Sequence, residues 1–156
     1  MQNASRTSPQ HPTFADKQRG AAAIEFALVF VVFFAVLYGL MSYSLPLLMM
    51  QSFNTAATEA VRRAVAVDPA TNNYITTVKS QASATVASQL SWMPTALAID
   101  ASSIQPTFDG KLLTVTITYP QSKLTNVMPL IVLPFVGTVP NLPANLIATA
   151  SLQLVP

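Results

Sequence analysis

A chain of 156 residues has room for one modest domain and a membrane segment. Its composition of 51% hydrophobic and 9% charged residues is unusually apolar, since about a quarter of the residues of a typical soluble domain are charged. The formal net charge of +2 lies within residues 1–20, where three basic residues and one acid leave zero net charge for residues 21–156, which argues against a nucleic-acid-binding surface. Cysteine is absent and His11 is the single histidine, so we expect neither a zinc site nor a catalytic triad, and we predict a protein that is not an enzyme and needs no cofactor or metal.

The chain starts with a polar leader. Residues 1–19 are rich in Ser, Gln, Pro, Asn and Thr and show almost no apolar pattern, which predicts disorder. Lys17 and Arg19 lie at the end of this segment, immediately before an apolar run. Because the cytoplasmic flanks of membrane helices are enriched in Lys and Arg, residues 1–20 are predicted to be a cytoplasmic leader.

The apolar segment is long enough to cross a membrane. No Asp, Glu, Lys or Arg occurs from Phe26 to Thr58, and FALVFVVFFAVLYGLMSYSL alone supplies the roughly 20 residues that a bilayer core of ~30 Å requires. The helical pattern continues to Val67, so we predict a transmembrane helix that continues as a stalk over residues 21–67. The protein is then a single-pass membrane protein whose residues 68–156 form an extracytoplasmic domain.

Residues 68–156 are predicted to form an α+β domain that begins with a helix. TNNYITTVKSQASATVASQLSWM has the pattern of an amphipathic helix with Thr71 or Asn72 as its N-cap. Trp92, near the end of this segment, is expected in the core. The predicted apolar stripe consists of Ile75, Val78, Ala82, Val86 and Leu90.

The remaining pattern predicts a small antiparallel sheet. ALAIDASSIQPTF and KLLTVTITY flank Asp109-Gly110, a dipeptide that favours a tight hairpin. NLIATASLQLV predicts a last strand, and the Pro-rich residues 120–143 are expected to form neither a helix nor a central strand. Within them, MPLIVLPFV either packs over the sheet or forms an exposed partner surface. The predicted buried face of the second strand consists of Leu113, Val115, Ile117 and Tyr119.

The junction RGAAAIEFALVF places a basic residue, a glycine, small residues and an acid ahead of the apolar helix. This order resembles the class III signal of type IV pilins and pseudopilins, which a prepilin peptidase cuts on the cytoplasmic side, after the glycine. An ordinary secretory signal instead has its small residues after the apolar run. The resemblance implies cleavage between Gly20 and Ala21, with Glu25 as the fifth residue of the mature chain.

Two segments of the sequence together resemble one particular family of pseudopilins. RGAAAIEFALVF, together with the later segment EAVRR, resembles the TadE-like proteins of the tight-adherence, or Flp, pilus system, whose pilin-like fold has a long N-terminal helix, a second helix and a small β region. Glu25 is followed by Phe26, where the major Flp pilin has Glu-Tyr, and this favours a minor pseudopilin. The resemblance implies a role in pilus biogenesis and adhesion at the bacterial inner membrane. The implied partners are a prepilin peptidase, other pilins or pseudopilins and inner-membrane pilus assembly proteins, and the implied processing and assembly motif is Arg19, Gly20, Glu25 and Phe26.

Two interpretations of Glu25 stay open. Cleavage would free the amino group of Ala21, which is largely protonated at neutral pH, and the Glu25 carboxylate could pair with this amine in a neighbouring subunit. Alternatively, Glu25 only favours the dipole at the helix N-terminus, a contribution of roughly 0.3–1 kcal/mol. Correspondingly, the protein is either a processed minor pseudopilin or an uncleaved, signal-anchored periplasmic binding or scaffold module.

Overall fold

The chain forms two compact units in the computed structural model, which describes residues 14–128, 131–133 and 137–154. The units are Met1–Tyr38 and Gly39–Pro156, and one long helix, α1 (Phe14–Ala64), contributes to both. The predicted α+β fold, with a long apolar N-terminal helix, a second helix and a small antiparallel sheet, is confirmed. The elements after α1 are α2 (Tyr74–Gln89), β1 (Ile104–Phe108), β2 (Leu112–Pro120), α3 (Gln121–Thr125), β3 (Ile131–Leu133), β4 (Gly137–Val139) and β5 (Asn145–Gln153).

Helix α1 begins at Phe14, inside the segment predicted to be disordered and seven positions before the predicted start at Ala21. Residues 15–19 include Ala, Lys, Gln and Arg, which are good helix formers. Extending an existing helix costs much less than nucleating a new one, so the apolar helix propagates backward into the leader. The prediction of disorder for residues 1–13 lies outside the described residues.

The C-terminal end of α1 is at Ala64, three positions before the predicted Val67. The backbone N–H groups of Ala66 and Val67 donate to the carbonyl oxygens of Arg63 and Ala64, three residues back, at 3.1 and 3.2 Å. This spacing is that of a tightened final turn rather than of an α-helix. The chain then turns at Asp68, whose Oδ1 accepts the N–H of Ala70 at 2.9 Å.

One stripe of α1 is buried in the second unit. Its members recur every three to four positions, the spacing of one helical face, and most are alanines, which allow neighbouring elements to approach closely. The ring centroid of Phe53 lies 5.6 Å from that of Tyr119 on β2. The stripe therefore joins α1 to the sheet within one core. Its buried side chains are Met49, Phe53, Ala56, Ala57, Ala60, Val61 and Ala64.

Helix α2 has the predicted core face but different ends. Val78, Ala82 and Val86 are buried as predicted, and so is Leu90, the C-cap residue. The predicted N-cap at Thr71 or Asn72 is wrong, because the N-cap is Asn73, which adopts the left-handed conformation with φ of 60° and makes no side-chain capping bond.

Two apolar residues of the α2 region are more exposed than predicted. Ile75 is 50% exposed, and the neighbouring Tyr74 packs its ring edge-on against Phe108, with the ring centroids 5.9 Å apart. The prediction that Trp92 is core is also wrong, since it is 52% exposed while Met93 is buried. Trp92 follows the end of α2, and a helical period no longer determines which side chain faces the core there.

The main sheet has the strand order β1-β2-β5, and both pairs are antiparallel. The hairpin at Asp109-Gly110 is confirmed, and Gly110 has the positive φ of 98° that this turn requires. The predicted last strand is confirmed as β5. The buried face of β2 consists, as predicted, of Leu113, Val115, Ile117 and Tyr119.

The first predicted strand is shorter than its sequence pattern. Thr95–Leu97 and Ala101–Ser103 form 3-10 turns, and β1 begins only at Ile104. The Nζ of Lys123 donates to the backbone carbonyl of Ala98 at 3.1 Å and to Oδ2 of Asp100 at 2.7 Å. This segment therefore contacts α3 through Lys123, and the Asp and Ser residues in it favour turns over a strand.

The Pro-rich segment contains a short helix, contrary to prediction. Pro120 is the N-cap of α3, where a proline loses no helical hydrogen bond. The described part of this segment forms no central strand, since β3 and β4 pair with each other in a separate two-stranded sheet. Ile131 and Val132 of MPLIVLPFV are exposed, which favours the partner-surface interpretation for these two residues. Residues 129–130 and 134–136 of this segment lie outside the described residues.

The hydrogen bonds of the Asp109 carboxylate predict that the stability of the folded protein depends on pH. Its Oδ1 accepts the N–H groups of Leu112 at 2.7 Å and Lys111 at 2.9 Å, and these bonds, that of Leu112 foremost, hold the pKa of Asp109 below its ordinary value. The resulting stabilisation is fully present above about pH 4, the ordinary pKa of Asp, and is lost as pH falls through the lower folded-state pKa. We therefore expect Asp109→Asn to lower the Tm at neutral pH, with the difference from the native chain shrinking in acid. Thermal melts of the native chain and of Asp109→Asn, from neutral pH to below pH 4, measure this difference in Tm. A Tm difference that does not change with pH would contradict a stabilising role of the ionised Asp109 carboxylate.

Candidate processing and assembly site

The residues of the processing and assembly motif lie on one short segment of α1. Gly20, Ala21, Glu25 and Phe26 occupy less than two helical turns, and the backbone of Arg19 belongs to the same helix. Every described residue from Gly20 to Val36 is exposed. A Cβ atom added at Gly20 would meet no atom within 4 Å. The glycine is therefore not required by packing within this chain.

Glu25 and Ala21 share a helix face. They are four positions apart, and an α-helix returns to the same face after about 3.6 residues and ~5.4 Å of rise. In the intact chain the nitrogen of Ala21 is a peptide nitrogen. Cleavage before Ala21 would turn it into an amine about one turn from the carboxylate. The geometry thus permits an ion pair that exists only after cleavage, either within one chain or between two.

The segment after Glu25 is uniformly apolar and exposed. Phe26, Phe30 and Phe34 form a row along α1, with ring centroids 5.8 Å and 4.5 Å apart. Gly20–Ala64 contains a stretch that is long and apolar enough to cross a membrane, and the rest of the chain buries none of the most apolar 18 residues of this stretch. Exposed apolar surface of this extent favours lipid or other apolar helices as neighbours.

The second acid of α1, Glu59, has a different environment. Its Oε1 accepts from Nε of Arg63 at 2.7 Å, and its Oε2 lies 3.7 Å from Nε of Arg62, so Glu59 pairs with the residues three and four positions later on the same helix. The hydrogen bond from Arg63 foremost, with the two guanidinium charges, lowers the pKa of Glu59. The carboxylate of Glu59 therefore pairs with two cations that follow it within four positions of the helix. After Glu25, by contrast, the next Lys or Arg in the sequence is Arg62.

Sequence reasoning missed one contact that joins distant segments. The hydroxyl oxygen of Tyr43 on α1 accepts the backbone N–H of Asn141 at 2.9 Å, across 98 positions of the sequence. Tyr43 lies in a stretch of α1 without charged residues and gave no signal for this partner, because the partner is a backbone group brought there by tertiary folding.

Among the described residues, one helix is long and apolar enough to cross a membrane, and a small α+β unit follows it, which is consistent with a single-pass membrane protein. The family model of TadE-like proteins matches residues 20–62. This match confirms the resemblance indicated by the sequence: residues 20–62 are similar to TadE-like proteins, which is consistent with a TadE-like protein of the Tad pilus system. It covers the motif from Gly20 onward, the apolar helix and Arg62. No curated protein and no solved structure matches the chain.

Proposed function

We propose that the protein is a minor pseudopilin of a Tad, or Flp, pilus, cut between Gly20 and Ala21 by a prepilin peptidase and acting in pilus biogenesis and adhesion. It would initiate, prime or cap the filament through its apolar helix, while the α+β unit selects partners. The observation that carries the proposal is the order of parts in residues 19–30, within and next to the TadE-like match. An acid five positions after the proposed scissile glycine, followed by a stretch without Asp, Glu, Lys or Arg from Phe26 to Thr58, is expected of a class III signal, whereas a plain membrane anchor does not require an acid at this position.

The proposed location is the bacterial inner membrane. Lys17 and Arg19 flank the start of the apolar helix, and the positive-inside rule places them in the cytoplasm and the C-terminal unit outside it. The proposed partners are the prepilin peptidase, other pilins or pseudopilins and inner-membrane pilus assembly proteins. The role is structural rather than enzymatic, since the sequence has no cysteine and one histidine.

A second candidate function has its own supporting observation. Helix α1 starts at Phe14, so the Gly20-Ala21 bond lies inside a helix, and a peptidase would have to unwind that helix to reach the bond. An uncleaved signal anchor that tethers a periplasmic binding or scaffold module avoids this cost. Glycine at position 20 lowers it, because Gly is about 1 kcal/mol less favourable than Ala in a helix interior.

N-terminal sequencing distinguishes the two functions. The full chain, extracted from membranes with and without a co-expressed prepilin peptidase, should begin at Ala21 only when the peptidase is present. Gly20→Val is the matched control, and it should stay uncut. Since a Cβ atom at position 20 would meet no atom within 4 Å and the neighbouring residues of α1 are exposed, we expect this variant to fold, and its resistance would then reflect loss of the cleavage signal. Retention of residue 1 in the presence of active peptidase would reject the pseudopilin in favour of the uncleaved anchor.

A further inference from the structure

In the described part of the chain, the two outer strands of the main sheet, β1 and β5, each have a hydrogen-bonded neighbour on one side only. The free side of such a strand presents unpaired backbone N–H and C=O groups, to which another extended chain can pair. Natural proteins usually shield a free edge with a proline, a charged side chain, a bulge or a short strand. The register of the sheet shows which of these features β1 and β5 have.

The hydrogen bonds that flank β5 identify the backbone groups on its free side. The N–H of Leu154 donates to the carbonyl oxygen of Lys111 at 2.8 Å, and the N–H of Gln121 donates to that of Ala144 at 2.9 Å. Bonded and non-bonded residue pairs alternate along an antiparallel ladder, and the register between β2 and β5 is continuous. The even-numbered residues of β5 therefore bond to β2, whereas the odd-numbered residues direct their backbone groups outward. In the middle of the free side these residues are Ile147, Thr149 and Ser151.

The free side of β1 is shielded by a proline. The N–H of Asp109 donates to the carbonyl oxygen of Leu112 at 3.3 Å, so the odd-numbered residues of β1 bond to β2 and the nitrogen of Pro106 faces outward. A proline nitrogen carries no hydrogen, and this outward side is where a sheet tolerates proline. Since β1 has only five residues, it offers little continuous backbone on either side of Pro106.

The free side of β5 has none of these protections. The strand is nine residues long and contains no proline, whereas strands of about five or six residues are most common. Its register shows no bulge, and the sequence has no ionisable side chain from Leu124 onward. Ile147, Thr149 and Ser151 are exposed. Among the residues that the structure describes, no backbone hydrogen bond from a further segment reaches their outward groups.

The chemistry of this edge specifies what it binds. Donors and acceptors that repeat at every second residue, about 6.5 Å apart, match the backbone of another extended chain rather than a helix or a compact ligand. A charged segment would find no counter-charge on β5. The side chain of Ile147 is 54% exposed, and an aliphatic side chain on an added strand would cover it, because side chains directly opposite each other on one face pack together.

A second copy of the chain supplies such a strand poorly. Its β1 edge is interrupted at Pro106. Its β5 could pair with this β5 about a two-fold axis, but pairing over the full nine residues centres on Thr149 and places Ile147 opposite Ser151. The aliphatic side chain of Ile147 then meets a hydroxyl group instead of an apolar partner. A strand from another protein is free of this constraint.

We propose that the free edge of β5 binds an extended, uncharged segment of another protein, which adds to the three-stranded sheet as a fourth strand. Main-chain hydrogen bonds to Ile147, Thr149 and Ser151 supply the affinity, and an aliphatic side chain beside Ile147 supplies the selectivity. The proposal goes beyond the proposed function, because it rests neither on cleavage at Gly20-Ala21 nor on a membrane span.

Backbone amide exchange of the full chain in detergent micelles, followed by NMR, tests the proposal with a synthetic strand as the probe. The probe is the peptide LLTVTITY, the sequence of β2 that pairs with β5 on its other side, with lysines added beyond its end for solubility. Thr149→Pro is the matched variant, because it removes one outward N–H, as Pro106 does in β1, and changes only an exposed side chain. Retained slow exchange at Ala148 shows that this variant folds.

In the free chain, the amides of Ile147, Thr149 and Ser151 should exchange about tenfold or more faster than that of Ala148, which bonds to β2. The peptide should slow the exchange of these three amides by about tenfold or more. It should leave the amide of Phe108, on the β1 edge, unchanged. In Thr149→Pro, the peptide should no longer slow exchange at Ile147 and Ser151.

Four results would overturn the proposal. Equal exchange at Thr149 and Ala148 in the free, single chain would mean that the chain covers this edge itself. Unchanged exchange with the peptide would mean that the edge does not accept a strand, and slowing that persists in Thr149→Pro would place the peptide elsewhere. Slowing that appears without peptide as the chain concentration rises, together with a dimer in sedimentation, would assign the edge to a second copy.

Discussion

Phe53→Ala is expected to remove a large share of the stability of the Gly39–Pro156 unit. Phe53 is fully buried and its ring lies 5.6 Å from that of Tyr119, at the contact between α1 and the sheet. Truncating a buried Phe to Ala costs about 3–5 kcal/mol, because transfer free energy is lost and a cavity remains. Single domains have about 5–15 kcal/mol in total, so this one change removes a large share.

Urea unfolding of the full chain in detergent, followed by pulse proteolysis, measures the effect. At a urea dependence of about 1–3 kcal/mol/M, we expect the midpoint to fall by about 1 M or more. Phe30→Ala is the matched control, since it is the same substitution on the same helix at a position that the fold leaves exposed. A midpoint shift of equal size for both variants would show that Phe53 is not a core residue of the folded unit.

The parts of the fold that the sequence predicts are those governed by a regular period. The alternation of Leu113, Val115 and Ile117 with threonines identified the buried face of β2, because a strand places successive side chains on opposite faces. Val78, Ala82 and Val86 followed from the helical period in the same way. Asp109-Gly110 predicted its turn because few dipeptides tolerate that backbone conformation.

The parts that were mispredicted depend on contacts between distant segments. Ala98 and Asp100 belong to a strand-like pattern but lie outside the sheet, where they contact Lys123, more than 20 positions later. Trp92 is large and apolar, yet the turn after α2 directs Met93 inward instead. Neither contact has a local signature. Similarly, Pro120 is the N-cap of α3, and a helix begins directly after it. A proline stops a helix that reaches it from upstream, but it does not prevent a helix from starting at the next residue.

The functional residues also fall into two groups, those that the sequence predicts and those that only the structure shows. Gly20, Glu25 and Phe26 could be found from sequence, because their meaning depends on order and spacing along one segment. The Tyr43–Asn141 bond could not, because its two members lie 98 positions apart and carry no charge to mark them. Residues that work through spacing are visible in a sequence, whereas surfaces assembled by folding require the structure.

The energetics of Glu25 depend on whether the new amine has a partner. The exposed neighbours of Glu25 on α1 are apolar, including Ile24 and Phe26. Once this helix is packed in lipid or among other apolar helices, the medium strengthens attraction between unlike charges and raises the cost of an isolated one. Removing one member of a buried pair typically costs about 3–5 kcal/mol, and each ~1.4 kcal/mol is a factor of ten in an equilibrium constant.

Glu25→Ala is accordingly expected to leave cleavage at Gly20-Ala21 largely intact while reducing pili per cell by about tenfold or more, since the Ala21 amine then packs without a counter-charge. The measurement is electron microscopy of cells whose native gene is replaced by the variant, with N-terminal sequencing of the same membranes. Glu59→Ala is the matched control, because Glu59 is the only other glutamate and its exposed pairing with Arg62 and Arg63 lies on the solvent side of α1. It should give normal pilus numbers, since exposed ion pairs contribute little. Unchanged piliation with Glu25→Ala would remove the pairing role and leave the acid as a helix-dipole partner; loss of cleavage would instead assign it to recognition by the peptidase.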